Sequence, residues 1–132
     1  MTPPKTVPRL DQPCFLVVCR DGPDSAVPRV EHLKAHLDHV EKHWERYITA
    51  GPIRDPGKEA LVGSIFLVLA DSLEDAQTLM NGDPYLTCGM YESIEYKEFS
   101  NAIGRFMGGK TWESAEAVAH LAAGGPTKLT AG

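Results

Sequence analysis

A chain of 132 residues has room for one domain with a real core and little room for two. Its net charge of −5 and the lack of any Lys/Arg run argue against nucleic acid as a partner. The longest apolar run, Ile65 to Ala70, is far short of the ~20 residues a membrane-spanning helix needs, so no membrane association is expected.

The start, MTPPKTVPRLDQP, has no apolar stretch of the kind a signal peptide carries, and it holds four prolines. Residues 1–13 are therefore expected to form a flexible arm. Cys14 to Arg20 (CFLVVCR) reads as a short strand ended by the turn cluster DGPDS. From about Pro28 to Tyr47, Val30, Leu33, Leu37, Val40, Trp44 and Tyr47 recur three and four apart, which predicts one amphipathic helix. Pro28 suits its first turn, where a missing N–H costs nothing. Ala50-Gly51-Pro52 stops it, with a short strand beginning near Tyr47. Gly63 to Ala70 (GSIFLVLA) is the clearest strand. Asp71-Ser72 caps a second helix whose apolar face is Leu73, Ala76, Leu79 and Met80. Asp83-Pro84-Tyr85 reads as a turn, and Ser93 to Phe99 alternates as a half-exposed strand does. A C-terminal extension, 101–132, carries a helix over WESAEAVAHLAA. Cys14, Cys19 and Cys88 make neither a complete disulfide set nor a CxxC pair, so a reducing cytoplasm is the expected location.

This order predicts an α+β domain over 14–100, a ferredoxin-like βαββαβ antiparallel sheet with two helices on one face. Phe15 to Val18 and Ile65 to Leu69 are apolar on both strand faces, and two helices cover only one. The other face is expected to pack sheet to sheet in a homodimer.

Four of the five histidines, His32, His36, His39 and His43, fall within twelve residues. On an ideal helix they form one narrow stripe along a shoulder of the apolar face, about 16 Å long, too long for one site. His32 and His36 are spaced to chelate a metal, yet no HExxH pattern supplies the rest of a zinc site. Gly104 to Thr111 (GRFMGGKT) fits the phosphate-loop pattern GxxxxGK[ST] letter for letter. A working phosphate loop follows a buried strand and opens a long helix, and the polar SNAI before this one fits poorly, so nucleotide binding is not expected.

Several further spacings carry a resemblance. They are Arg29-x-x-His32-Leu33, Thr49-Ala50-Gly51-Pro52, Gly63-Ser64, Ser72-Leu73-Glu74-Asp75-Ala76, Asp83-Pro84-Tyr85-x-x-x-Gly89 and Tyr91-Glu92…Lys97-x-Phe99. In this order the chain resembles the YciI-like family of the dimeric α+β barrel superfamily, over roughly residues 14–99. The resemblance implies the barrel-forming dimer and a pocket between helices and sheet. It also implies a catalytic histidine and aspartate, which map to His32 and Asp83. His36, His39 and His43 match no family role and are read as partly exposed residues without one. Cys88 stands where the family usually has alanine.

A histidine titrating near ~6.5 is suited to proton transfer at neutral pH, and a carboxylate beside it fixes its tautomer. The expected function is thus a small-molecule enzyme without a cofactor, with His32 as acid/base and Asp83 orienting it, of isomerase, lyase or dehydrochlorinase-like chemistry. Asp83 capping the turn before Pro84 is the plain structural alternative. Arg29, Ser64, Pro52 and Tyr85 are the expected substrate contacts. The alternatives are a non-catalytic ligand-binding or accessory module and a metal site on His32/His36.

Overall fold

Phe15, Val17 and Cys19 alternate with Leu16 and Val18 along β1 (Cys14–Asp21), and the alternation decides which face is buried. β1 lies at the centre of a four-stranded antiparallel sheet of order β2-β3-β1-β4. Its partners are β3 (Gly63–Leu69) and β4 (Tyr91–Phe99), with β2 (Tyr47–Ile53) outside β3. Val17 stands opposite Phe66 and Tyr96, and Cys19 opposite Ser64 and Ile94. One face of the sheet therefore collects Phe15, Val17, Phe66 and Val68 into the core with Ala76, Leu79, Met80 and Leu86 from the helices. The computed structural model describes residues 2–122 and divides into two compact units, 12–99 and a smaller one in which residues up to Asp11 join those from Ser100.

In the larger unit the predicted first helix is broken in two. α1 (Ala26–Glu31) and α2 (Leu33–Lys42) meet at His32, whose φ of −101° and ψ of 8° lie in the bridge region rather than the helical one. At this junction the Arg29 carbonyl, which an unbroken helix pairs with the Leu33 N–H, accepts a 2.6 Å hydrogen bond from the Tyr85 hydroxyl. A 3-10 turn (Trp44–Arg46) leads into β2. The second helix, α3 (Leu73–Asn81), starts as predicted, the Ser72 hydroxyl accepting from the Asp75 N–H. Asp83-Pro84-Tyr85 opens a short helix, α4 (Pro84–Thr87), with Asp83 as its cap and Pro84 in its first turn.

The expected apolar face of the first helix does not point inward. Val30 is 75% exposed, Trp44 66% and Leu37 49%, and neither α1 nor α2 contains a buried residue. The side facing the sheet carries His36 instead, set edge-on to Phe66 at 6.4 Å between ring centroids, and His39, bonded to the Leu79 carbonyl at 2.9 Å. The reason lies in Asp83, which is wholly buried beneath α2 and needs a polar partner more than the sheet needs another apolar contact.

The barrel expected of this chain is corrected. The sheet is open, β2 and β4 are its edges, and it does not close on itself. The sheet-to-sheet homodimer is corrected with it: the structure is a single chain in which Leu16, Val18, Ile65 and Leu67, on the face away from the helices, stay half-buried.

In the smaller unit, β5 (Ile103–Gly104) and β6 (Gly109–Lys110) form a hairpin, and Thr6 bridges to Lys110. The GRFMGGKT segment therefore has no strand-loop-helix geometry. Lys110 lies over the Trp112 ring at 5.5 Å, and Thr111 donates to the Ala102 carbonyl. α5 (Ala115–Ala122) follows. The final residue of the predicted terminal helix, Ala123, lies outside the described residues.

Two stability measurements check this arrangement. Gly63 sits where an added Cβ would overlap the Cys19 carbonyl across the β1/β3 pair. Gly63→Ala is expected to cost about 1–3 kcal/mol in urea unfolding, because backbone rather than a flexible side chain must shift. Val30→Gln, on the outward face, is expected to change stability by no more than about 0.5 kcal/mol; a large loss would place that face inside.

Candidate functional site

Asp83 is 0% exposed, and both its carboxylate oxygens are used. Oδ1 accepts from the Tyr85 backbone N–H at 2.9 Å, the helix cap. Oδ2 meets His36 Nδ1 at 2.7 Å. One oxygen thus takes the capping position weighed for Asp83 in the sequence, and the other holds a histidine, though not the one expected. The histidine it holds is His36, one turn beyond His32. His32 occupies the helix break and shows no side-chain hydrogen bond among the described residues, and Asp83 is paired with His36 rather than with it.

With Nδ1 at the carboxylate, the ring is fixed as the tautomer that carries its proton there, and Nε2 has no hydrogen-bond partner among the described residues. The His36 side chain is 15% exposed. The ring lies flat on Tyr85, centroids 3.9 Å apart and planes 7° from parallel. Tyr85 is itself buried, and burial raises its phenol pKa ahead of the opposing pull of Arg29.

The expected substrate contacts occupy varied positions. Arg29 places Nη2 on both oxygens of Asp21, at 2.6 and 2.8 Å, and Asp21 also accepts from the Ser25 hydroxyl. The guanidinium lies 5.7 Å from the centre of the Tyr85 ring. Ser64 is buried on β3 and accepts a 3.0 Å hydrogen bond from the Tyr91 hydroxyl, whose pKa is raised chiefly by burial. Pro52 is exposed on β2, opposite Ser64 in the register. His39 and His43 have rings 4.7 Å apart. Among the described residues no group of three or more His, Cys, Asp or Glu is placed to hold a metal ion, and His36 is turned toward Asp83 rather than toward a chelate with His32.

Two residues near the pair escaped the sequence reading. Tyr47, at the start of β2, packs its ring 6.2 Å from Phe66, on the core face that His36 also meets. Its hydroxyl is buried without a hydrogen-bond partner among the described residues, and burial first, then the Asp83 charge, hold its pKa far above the usual phenol value. The signal for it was its place as the last apolar residue of the helical pattern, which reads as packing. Cys19, on β1 beneath the site, has its thiol pushed up to about 12 by burial, with smaller contributions from Asp83 and Asp21. A separate cleft of about 660 Å³ lies wholly within the smaller unit, lined by residues including Thr6, Arg9, Trp112 and Glu113, and shares none of these groups.

Comparison with known proteins decides the family. The YCII-related domain matches residues 14–100. The chain belongs to that family. Protein YciI from Escherichia coli O6:H1 (strain CFT073) is 35% identical over 92 residues, spanning 64% of this chain and 94% of the relative, and Protein YciI from Shigella flexneri matches equally. Among solved structures, the fold resembles 5-chloro-2-hydroxyhydroquinone dehydrochlorinase (TftG) from Burkholderia phenoliruptrix AC1100, in complex with 2,5-dihydroxybenzoquinone. The TM-score is 0.61 at 22% identity, over 70% of this chain and 96% of that one. The YCII-related match, 14–100, falls on the larger unit, 12–99, and reaches one residue past it.

The buried thiols give a pH test. Cys14 is raised to about 11 and Cys19 to about 12, from an ordinary 9.0, because burial disfavours the thiolate. A group whose folded pKa is raised contributes stability that is fully present below the unfolded value and lost as pH rises through the folded one. Urea midpoints are therefore expected to hold steady with respect to these thiols up to about pH 8 and to fall from about pH 9 up to about pH 12. Cys14→Ala/Cys19→Ala, corrected for its neutral-pH loss, should flatten that fall, and an unchanged slope would remove the thiols as its cause.

Proposed function

We propose that this protein is a cofactor-independent enzyme that moves a proton on a small oxygenated ring compound, with His36 as the acid/base and Asp83 as its partner. The observation that carries the reading is the buried carboxylate on Nδ1 combined with an Nε2 that has no partner among the described residues, on a slightly exposed ring. A neutral imidazole in that tautomer presents a lone pair at Nε2. It takes a proton from a hydroxyl or from a carbon beside a carbonyl, and the imidazolium formed is balanced by Asp83. The electron pair left on the substrate moves into the ring. In an isomerisation the same Nε2 returns the proton elsewhere; in an elimination the electron pair expels a leaving anion, and the proton and anion depart together as an acid. No electron donor or acceptor is needed.

The dehydrochlorinase of similar fold supports the choice of substrate class, since that protein acts on a chlorinated hydroxyhydroquinone and is bound to a dihydroxybenzoquinone. Lyase or isomerase chemistry on such rings is the finer part of this proposal. In this reading Ser64 and Arg29, each engaged with an internal partner, contribute to the walls of the site, Pro52 to its rim, and His32 lines its approach from the helix break. The second reading, a ligand-binding module without turnover, rests on the same ring and differs only in the fate of the ligand.

The test is a panel of hydroxylated and halogenated hydroquinones, scored for halide release and for deuterium exchange from solvent. His36→Ala and Asp83→Asn are expected to lower kcat/KM by about 10²–10⁴, the range of general acid/base catalysis. His32→Ala is expected to change it by less than about tenfold, a loss below that range. Full activity in His36→Ala would remove His36 from the mechanism, and tight binding without turnover across the panel would favour the binding module.

A further inference from the structure

The imidazole of His36 has a plane that its own backbone does not set. The outer torsion of a histidine side chain is broad and roughly two-fold, and one hydrogen bond to Asp83 leaves the ring free to rock about that contact. A second constraint is present, and it comes from a single residue. Tyr85 touches both members of the pair: its backbone N–H donates to Asp83 Oδ1 at 2.9 Å, and its ring lies parallel to the imidazole at 3.9 Å. At 3% exposure the Tyr85 ring is enclosed, which suits a support better than a substrate contact.

The ring is held in turn at its far end. Its hydroxyl donates to the Arg29 carbonyl at 2.6 Å, at the point where α1 gives way to α2. Arg29 is clamped through its guanidinium to Asp21, at the end of β1, and Asp21 is steadied by Ser25. A run of contacts therefore leads from the end of the central strand, through the helix junction and Tyr85, to the imidazole.

Resting on the proton-transfer reading above, we propose that Tyr85 is a positioning residue. Its ring fixes the plane of His36 so that Nδ1 stays on Asp83 and Nε2 keeps one direction, and its hydroxyl ties that stack to the α1–α2 junction. The two parts of the side chain have separable duties. Tyr85→Phe keeps the ring face and removes the tether, whereas Tyr85→Leu removes the face as well.

The experiment is NMR of the full chain without substrate. His36 ring resonances are assigned by their disappearance in His36→Gln. The wild-type protein is expected to show the carbon-bound His36 ring protons shifted upfield by the stacked phenol and a slowly exchanging Nδ1–H. Tyr85→Phe should keep the upfield shift while Nδ1–H exchange speeds up about fivefold to tenfold, the change one hydrogen bond carries. Tyr85→Leu, with a folded backbone spectrum, should lose both signatures, and kcat should fall with little change in KM. Unchanged ring shifts and exchange in folded Tyr85→Leu would overturn the proposal. Should Tyr85→Leu not fold, Tyr85→Phe decides: unchanged exchange there overturns the tether, and loss of the upfield shift overturns the stack. These signatures need no turnover, so an inactive wild-type protein would defeat the catalytic reading while leaving the positioning of His36 measurable.

Discussion

A carboxylate with no access to water is the constraint on which the upper layer of this domain depends. Asp83 stands at the N-terminus of a four-residue helix, wholly buried, where an unpaired charge is expensive. It is made tolerable by two donors on its two oxygens, one from the backbone of the helix it caps and one from a neighbouring helix. The second donor dictates how α2 lies. To deliver His36, that helix turns its polar shoulder inward and leaves Leu33 and Leu37 facing out, as Val30 of α1 and Trp44 of the 3-10 turn do on either side of it. Removing one partner of such a pair costs about 3–5 kcal/mol, more than burying another leucine returns. The proposed chemistry and the packing rest on the same interaction. The pairing that satisfies the buried carboxylate also leaves one imidazole nitrogen without a partner among the described residues.

This exchange explains what could be read beforehand and what could not. The strands around Phe15 to Val18 and Ile65 to Leu69 were legible because β-branched and aromatic runs between turn signals leave little choice. The Ser72 cap was equally plain, being local chemistry; Asp83-Pro84-Tyr85 read as a turn and instead opens α4, with Asp83 as its cap. The orientation of the first helix was not. Its 3.6-residue periodicity is genuine, and periodicity shows that a helix has two unlike faces without saying which of them meets the sheet. The usual rule sends the apolar face inward; here a buried carboxylate some forty-seven residues away in sequence overrules it.

The same non-local cause shifted the histidine. Position relative to Arg29 favoured His32, and an unbroken helix put His36 on the same stripe, so nothing local separated them. The separation arises at the α1–α2 junction, where the Tyr85 hydroxyl occupies the Arg29 carbonyl and the chain leaves helical angles at His32. Tyr47 was hidden for a simpler reason: a tyrosine on an apolar repeat looks like packing, and only the assembled core shows its hydroxyl buried with no partner among the described residues.

The open sheet has its own consequence. A sheet that ends in two strands offers two rows of backbone groups to any other extended chain, which is the usual route to edge-to-edge aggregation. The two edges are protected in different ways. β2 carries Pro52, which has no N–H to donate and interrupts the row. β4 carries Glu92, Glu95, Lys97 and Glu98, so a strand approaching it must also desolvate charge. Proline at one margin and charge at the other let the sheet remain open without becoming a template.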